Sequence, residues 1–320
     1  MDKVMDMVQP RAVDSLNDIF SWPKERIARE VHPDFLRYFS YQLQLGNIHT
    51  YYREISSYVA ESRFQGHVLD FGCGFGLASL CMRSLGVDRV TGADIVPDKF
   101  KTASKLALMV GCDRVSFVQS DDNLVFKDAS FDGVLIKDAL SHLNEDSPFL
   151  AHAYRVLRPG GILFIVDDRN SLSPLNVRRT HKMWEVSESG TPEETRKIGI
   201  ARNFTDQRLD FLQTQFPHEN PEYLREIAIK YRGYTNEQLE NWLKGGTLGI
   251  KHAPCVGPNG IVQERLMNPF ALKRKLEQLG FECRLRPGYC NKAWKRAVFQ
   301  VAWPATLLYS GLFHVIARKP

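Results

Sequence analysis

Val68-Leu69-Asp70-Phe71-Gly72-Cys73-Gly74-Phe75-Gly76 begins as a short apolar strand and ends in three alternating glycines. Leu77, Leu80, Cys81 and Leu85 then recur at helical spacing. Strand, glycine turn and helix in immediate succession make the first unit of an open α/β sheet. Glycines there let the backbone turn tightly and a ligand come close, with the N–H groups of a helix start nearby. A dinucleotide site calls for G-x-G-x-x-G to receive a pyrophosphate. Here the spacing is G-x-G-x-G, and Asp70 stands two residues before the first glycine. An acid aimed at the loop suits a cationic or amino-bearing ligand better than a diphosphate.

Working outward, the alternation continues. RVTGADI reads as a second strand, Lys99 to Val110 as a helix, VSFVQ as a third strand and FDGVLIK as a fourth. GILFIVD is a fifth, behind the turn Arg158-Pro159-Gly160-Gly161. This pattern predicts a parallel sheet with helices on both faces. Upstream, residues 1–65 read as mostly helical, with Ile48, Tyr51, Tyr52, Ile55, Tyr58 and Val59 on one face. After Asp168 the alternation stops from Arg169 to Leu266. That stretch reads as helices: Thr191-Pro192-Glu193-Glu194 and Thr235-x-x-Gln238 are capping boxes, Asn220-Pro221 opens another helix, and Gly245-Gly246 closes one. A helix and strands resume at 267–320. The expected organisation is therefore an N-terminal helical segment (1–65), a core (66–168 with 267–320) and a helical lid (169–266) on a five-plus-two-strand sheet.

Acids follow the strands in series. Asp94 ends the second strand, where a carboxylate can accept from both hydroxyls of a ribose. Asp121 and Asp122 follow the third, where a side chain can accept from an adenine amino group. One such acid would be an ordinary turn or cap residue. Three on successive strands beside a glycine loop point to a nucleoside-bearing ligand.

With these residues in view, LDFGCGFG, GADI, QSDDNLVF, FDGVLIKDALSHL and RVLRPGGILFIVDD resemble the successive motifs of class I S-adenosylmethionine-dependent methyltransferases. The resemblance covers residues 66–168 strongly and 267–320 through pattern alone. It implies a doubly wound, seven-stranded, mostly parallel sheet of order 3-2-1-4-5-7-6 with the last strand antiparallel. It also implies S-adenosyl-L-methionine over the C-terminal ends of strands one to four. By position, Asp70, Gly72 and Gly74 would hold the methionine moiety, Asp94 the ribose, and Asp121 with Asp122 the adenine. Lys137 would contribute backbone near the methionine portion, and Cys73 and Ile95 join the cofactor-binding set.

The acceptor is less legible. Methyl transfer is an in-line displacement that mainly needs alignment, and a hydroxyl or ammonium acceptor also needs a proton removed. His142, after the fourth strand, and Asp168, after the fifth, are the catalytic candidates, although a histidine in this turn also serves packing. Asp138, Asp167, Asp168 and Asn170 could together offer oxygen ligands to Mg²⁺, but acids also cap such loops, and no metal is expected. Pro254-Cys255 falls in the insertion, away from the place a cytosine-5 methylating nucleophile occupies. Ile136-Lys137-Asp138-Ala139 replaces the N-P-P-Y-type tetrad of amino-methylating nucleic-acid enzymes. Arg, His and aromatic residues of the insertion, Trp184 and Trp242 among them, divide between lid packing and a pocket for a small molecule. The expectation is a small-molecule methyltransferase acting on a hydroxyl of a natural product, lipid or glycoside. Nitrogen or carbon methylation and a catalytically silent cofactor-binding protein are the alternatives.

Composition bounds these readings. At 43% hydrophobic and 25% charged residues the chain of 320 is neither disordered nor fibrous. Net charge is +5, and ten Lys/Arg against Glu277 and Glu282 from Met267 onward leave −3 for the rest. A solvated helix face with Lys273, Arg274 and Lys275 accounts for part of that excess; phosphates or a lipid surface are the other readings. The six cysteines form no C-x-x-C pair, which suits a reducing cytosol, and the N-terminus lacks an apolar leader. Val298–Ala317 is uncharged and long enough to span a bilayer, yet Pro304, Ser310, Gly311 and His314 make a buried strand with an apolar lead-in the better reading. No nucleic-acid partner and no stable membrane insertion are expected. The oligomeric state stays open, a homodimer included.

Overall fold

β1 (His67–Phe71), β2 (Arg89–Asp94), β3 (Val115–Gln119), β4 (Phe131–Lys137) and β5 (Leu157–Asp167) form the parallel part of the sheet. β6 (His252–Gly257) and β7 (Gly260–Arg265) make a separate antiparallel hairpin. β8 (Glu282–Pro287) and β9 (Phe313–Arg318) complete the main sheet, in the order β3-β2-β1-β4-β5-β9-β8. Counted within that sheet alone, the order is the expected 3-2-1-4-5-7-6, and β9 runs antiparallel to both of its neighbours. The computed structural model describes residues 24–33, 35 and 45–320, except 145, 199, 201–203, 232, 235, 249–251, 258–259 and 289–301. The first 23 residues, Thr235 of one capping box, Cys290 and 298–301 of the long apolar run lie outside them. Among the described residues no helix is long and apolar enough to cross a membrane.

The helices divide between the two faces. α1 (Lys24–Glu30), α2 (Leu45–Ser62), α3 (Leu77–Ser84) and α4 (Phe100–Met109) contribute to one side. There Ile55 and Tyr58 of α2 pack with Cys81 and Met82 of α3 against Val68, Leu135 and Phe164 of the sheet. α5 (Phe149–Val156) and α11 (Pro269–Gln278), the helix that precedes the last two strands of the sheet, cover the other side. Phe149, Ala153, Leu272 and Leu276 meet Leu69, Ile136 and Val315 there. Strands covered on both faces need no alternation, which is why β4 reads as an almost continuous apolar run.

The insertion supplies α6 (Pro174–Ser189), α7 (Pro192–Ile198), α8 (Phe204–Gln215), α9 (Pro221–Lys230) and α10 (Asn236–Leu243). The capping box forms as read: Thr191 N donates to Glu194 Oε2 at 2.8 Å and Glu194 N to Thr191 Oγ1 at 3.2 Å. Asn220 Oδ1 accepts from Glu222 N at 2.8 Å. Leu212, Leu224, Ile227 and Leu239 give α8–α10 a small core of their own. Its polar pin is Arg208, fully buried, which donates to Tyr231 O and Asn236 Oδ1 at 3.0 Å each and to Tyr234 O. Burial pushes that guanidinium down to about 9.

One expectation needs correction. The end of the insertion is not helical but the β6–β7 hairpin, with Pro254 on its two-stranded ladder opposite Gln263. Gly257-Pro258-Asn259-Gly260, flanked by Val256, Ile261 and Val262, is a hairpin signature that helical caps elsewhere in the insertion overshadowed. Arg169 and Asn170 also belong physically with the sheet. Asn170 Nδ2 donates to Leu307 O and Ser310 O at 2.7 Å each, and Met267 N donates to Arg169 O at 2.7 Å.

His314 on β9 packs against the rings of Tyr58 and Phe164, at centroid distances of 5.0 and 5.5 Å. Burial, with a further push from Lys137, takes its imidazole down to about 3. Its folded value is thus below the unfolded one, so the folded chain binds fewer protons and loses stability as pH falls through about 6.5. Between pH 6.5 and 5 this one group should cost about 2 kcal/mol. Chemical denaturation of wild type and His314→Gln across that interval should show a shallower acid loss in the variant; parallel curves would disprove it.

Candidate functional site

Parallel strands place the C-terminal ends of β1, β2, β4 and β5 along one edge, and the chain leaves β1 for β2 on one side and returns through β4 on the other. That switch opens a crevice above β1 and β4. The glycine loop stands in it. Gly72 N and Cys73 N both donate to Ala93 O, at 2.8 and 3.0 Å, which folds the loop over β2. Gly72 has φ +73°, and a Cβ there would sit 2.5 Å from Cβ of Ala139, so only glycine lets β1 turn against the segment after β4. At Gly74, φ +53°, a Cβ would meet nothing within 4 Å: this position borders open space.

Asp94 ties strand two to the loop. Its Oδ2 accepts from Gly74 N at 2.8 Å and its Oδ1 from Val96 N at 3.0 Å. Each oxygen keeps a second lone pair for a ligand hydroxyl. Ile95 beside it leaves 59% of its surface exposed. Asp70 is different: it is buried under the loop, where Ser79 Oγ of α3 donates to it at 2.5 Å. Burial raises its carboxyl to about 6, with Asp94 adding to the rise and Ser79 and Lys137 opposing it. Asp70 therefore acts on the loop from beneath. Asp121 closes a turn on Asn123 N at 3.0 Å and remains exposed, while Asp122 accepts from Ser147 Oγ at 2.6 Å. Of the predicted cofactor residues, the structure thus gathers Asp70, Gly72, Cys73, Gly74, Asp94 and Ile95 at one loop. Asp121 and Asp122 follow on β3, the neighbour of β2.

Lys137 ends β4. Its ammonium pairs with Asp138, reaches Glu54 of α2 at 3.9 Å and lies 5.4 Å from the Tyr51 ring centroid. Burial pulls it down, but the carboxylates of Asp138, Glu54 and Asp168 outweigh that and hold it above the ordinary lysine value. Tyr58 donates to the same Glu54. Tyr51 and Tyr58 belong to the apolar face read from the sequence, whereas Glu54, between them, was not singled out, and nothing in its spacing marks it as a partner of Lys137.

The strand-five side carries a second polar cluster. Asp167 is fully buried and accepts from Ser141 N and Arg169 N at 3.0 Å each, clasping the β4 and β5 exits together. Burial, reinforced by Asp138 and Asp168, pushes it up to about 7. His142 sits on the single helical turn Leu140–His142, with Nε2 3.4 Å from Glu264 Oε1 on β7. Glu264 Oε2 also pairs with Arg169, whose Nε lies 3.4 Å from Asp168 Oδ1. Arg179 of α6 stands 3.9 Å from the other Asp168 oxygen. His142 is held below the ordinary imidazole value by burial and then by Arg169, against the opposing pull of Asp138 and Asp168. Sequence reasoning found His142 and Asp168 but missed Glu264 and Arg169, because Glu264 reaches them only through the hairpin.

Asn170, weighed as an oxygen ligand, spends its amide on the chain itself, with Oδ1 accepting from Leu172 N at 3.0 Å. Among the described residues, no three His, Cys, Asp or Glu side chains gather closely enough to hold a metal ion.

Residues 69–165 match a family described as Methyltransferase domain. Over 195 residues the chain is 30% identical to the O-methyltransferase resE of Aspergillus sclerotiorum, covering 58% of this chain and 72% of that protein. It is 33% identical over 190 residues to the phthiotriol/phenolphthiotriol dimycocerosates methyltransferase of Mycobacterium leprae, covering 58% and 67%. To the ubiquinone biosynthesis O-methyltransferase of Xanthomonas axonopodis pv. citri it is 31% identical over 176 residues, covering 55% and 67%.

Proposed function

Because this chain belongs to the S-adenosylmethionine-dependent methyltransferases of Rossmann-like fold, we propose that it methylates a hydroxyl of a small molecule: a natural product, lipid or glycoside. The residues present suit the cofactor. Open space over Gly74 leaves room for its methionine portion, and the anchored Asp94 carboxylate faces that space with spare lone pairs for ribose hydroxyls. Ile95 offers an apolar surface to a flat base, Asp121 and Asp122 would accept from its amino group, and Lys137 and Cys73 border the methionine end. When bound, S-adenosyl-L-methionine supplies an electrophilic methyl group on a sulfonium.

The observation that carries the oxygen reading is His142, set on the turn between the β4 exit and the lid hairpin and held below the ordinary imidazole value by burial and then by Arg169. A neutral imidazole there takes the proton a hydroxyl must lose as it attacks. Asp168 and Asp138 favour the imidazolium that then forms. Asp168 thus serves as a charge stabiliser rather than as a second base, since Arg169 and Arg179 flank its carboxylate. The lid helices would hold the acceptor and exclude water. The relatives named as O-methyltransferases favour the same reading.

The test is to incubate the protein with methyl-labelled S-adenosylmethionine and metabolite extract from its source cells, then locate the label by NMR. A methoxyl product is expected. Label on nitrogen or carbon would overturn the oxygen assignment, and cofactor binding with no labelled product would favour the catalytically silent alternative.

A further inference from the structure

We propose that Glu264 is a positioning residue: the β6–β7 hairpin delivers its carboxylate to Nε2 of His142, so that Nδ1 is left as the free lone pair. The inference rests on the reading of His142 as the proton acceptor and adds the group that sets its tautomer. Three observations support it. Glu264 Oε1 lies 3.4 Å from Nε2 of the imidazole, and its side chain is only 16% exposed, so water competes little for it. The adjacent Arg265 reaches Leu140 O at 3.5 Å, so two successive hairpin residues bracket the turn that carries His142. Beyond the hairpin, Met267 pairs with the strand-five exit through Met267 N to Arg169 O and Ser171 N to Met267 O, which seats β7 at that edge.

Charge balance explains why such a carboxylate leaves the base uncharged. A lone glutamate beside an imidazole favours imidazolium, which cannot accept a proton. Here Arg169 pairs with Glu264, and its charge disfavours the imidazolium. The groups facing His142 are Glu264 from β7, Arg169 and Asp168 from the strand-five exit, Asp138 from the strand-four exit and Lys99 ahead of α4. Among them Arg169 and Lys99 oppose protonation and Asp138 and Asp168 favour it. Glu264 is left to orient the ring and fix its tautomer, as a carboxylate does for many working histidines. At 3.4 Å the contact is at the long end for a hydrogen bond and still favours the proton on Nε2.

Long-range proton–nitrogen NMR of the full chain, labelled at histidine and loaded with S-adenosylhomocysteine, reads the tautomer directly. His142 is assigned by the signal lost in His142→Gln. Wild type should show Nε2–H with an excess over the free-histidine ratio of about tenfold, the equilibrium worth of one hydrogen bond. Glu264→Ala should fall back to the free-histidine ratio. Glu264→Gln keeps an acceptor and should retain the tautomer, while its titration midpoint drops with the lost negative charge. Arg169→Gln should raise that midpoint. Identical tautomer ratios in wild type and Glu264→Ala would overturn the proposal, as would a Glu264→Gln spectrum matching alanine. Whether His142 takes a proton at all is decided separately, by turnover of the His142 variants.

Discussion

Asp94→Ala should weaken S-adenosylhomocysteine binding by about 10- to 100-fold, the loss of a charged acceptor worth about 1.5–3 kcal/mol. The carboxylate does two things at once. Its oxygens hold Gly74 N and Val96 N, so it shapes the glycine loop and presents the remaining lone pairs above β2. Alanine removes both functions, whereas Asp94→Asn keeps one acceptor and should fall between. Calorimetric titration of the three proteins gives the order directly. Equal affinity in wild type and alanine variant would show that the cofactor does not use strand two. Tighter binding of NADH than of S-adenosylhomocysteine by wild type would contradict the assignment of the whole crevice.

His142→Ala should lower kcat by about 10²–10⁴ with little change in cofactor affinity, since general-base catalysis is worth that much and the cofactor loop lies on other strands. The pH profile carries the sign. A base whose value is depressed stays neutral, and active, as pH falls past the ordinary imidazole range, and activity then drops once the lowered value is crossed. The acid limb of wild type should therefore lie below about pH 6.5, and it should vanish in the small residual rate of the alanine variant. A normal rate for His142→Ala would show that the acceptor arrives already nucleophilic or gives its proton to another group.

Between them these variants separate binding from chemistry, because Asp94 and His142 sit on opposite sides of the switch point. Asp94 ends β2, beside β1, while His142 follows β4 and faces β5 and the hairpin. A ligand across the crevice would touch both sides.

Local sequence determined much of this protein. Short apolar runs, each ended by glycine or an acid, are enough to locate β1 to β5 along the chain, while their order across the sheet was implied only by the family resemblance. The loop from Gly72 to Gly76 and the capping box at Thr191 were equally legible, since a tight turn and a helix start are solved by neighbours in the chain. Asp94 could be named because a strand's end and a loop's start are adjacent in any parallel sheet. What only the tertiary structure decided is the set of contacts across many residues. Glu264 meets His142 122 positions earlier in the chain, Asn170 holds carbonyls at 307 and 310, and Glu54 reaches Lys137 from a helix that reads as plain core. None of these residues differs in type or spacing from a solvated acid or a turn asparagine. Their roles come from burial and from the hairpin's seat against the strand-four exit, where low exposure makes a charged pair matter and its register selects which carboxylate arrives.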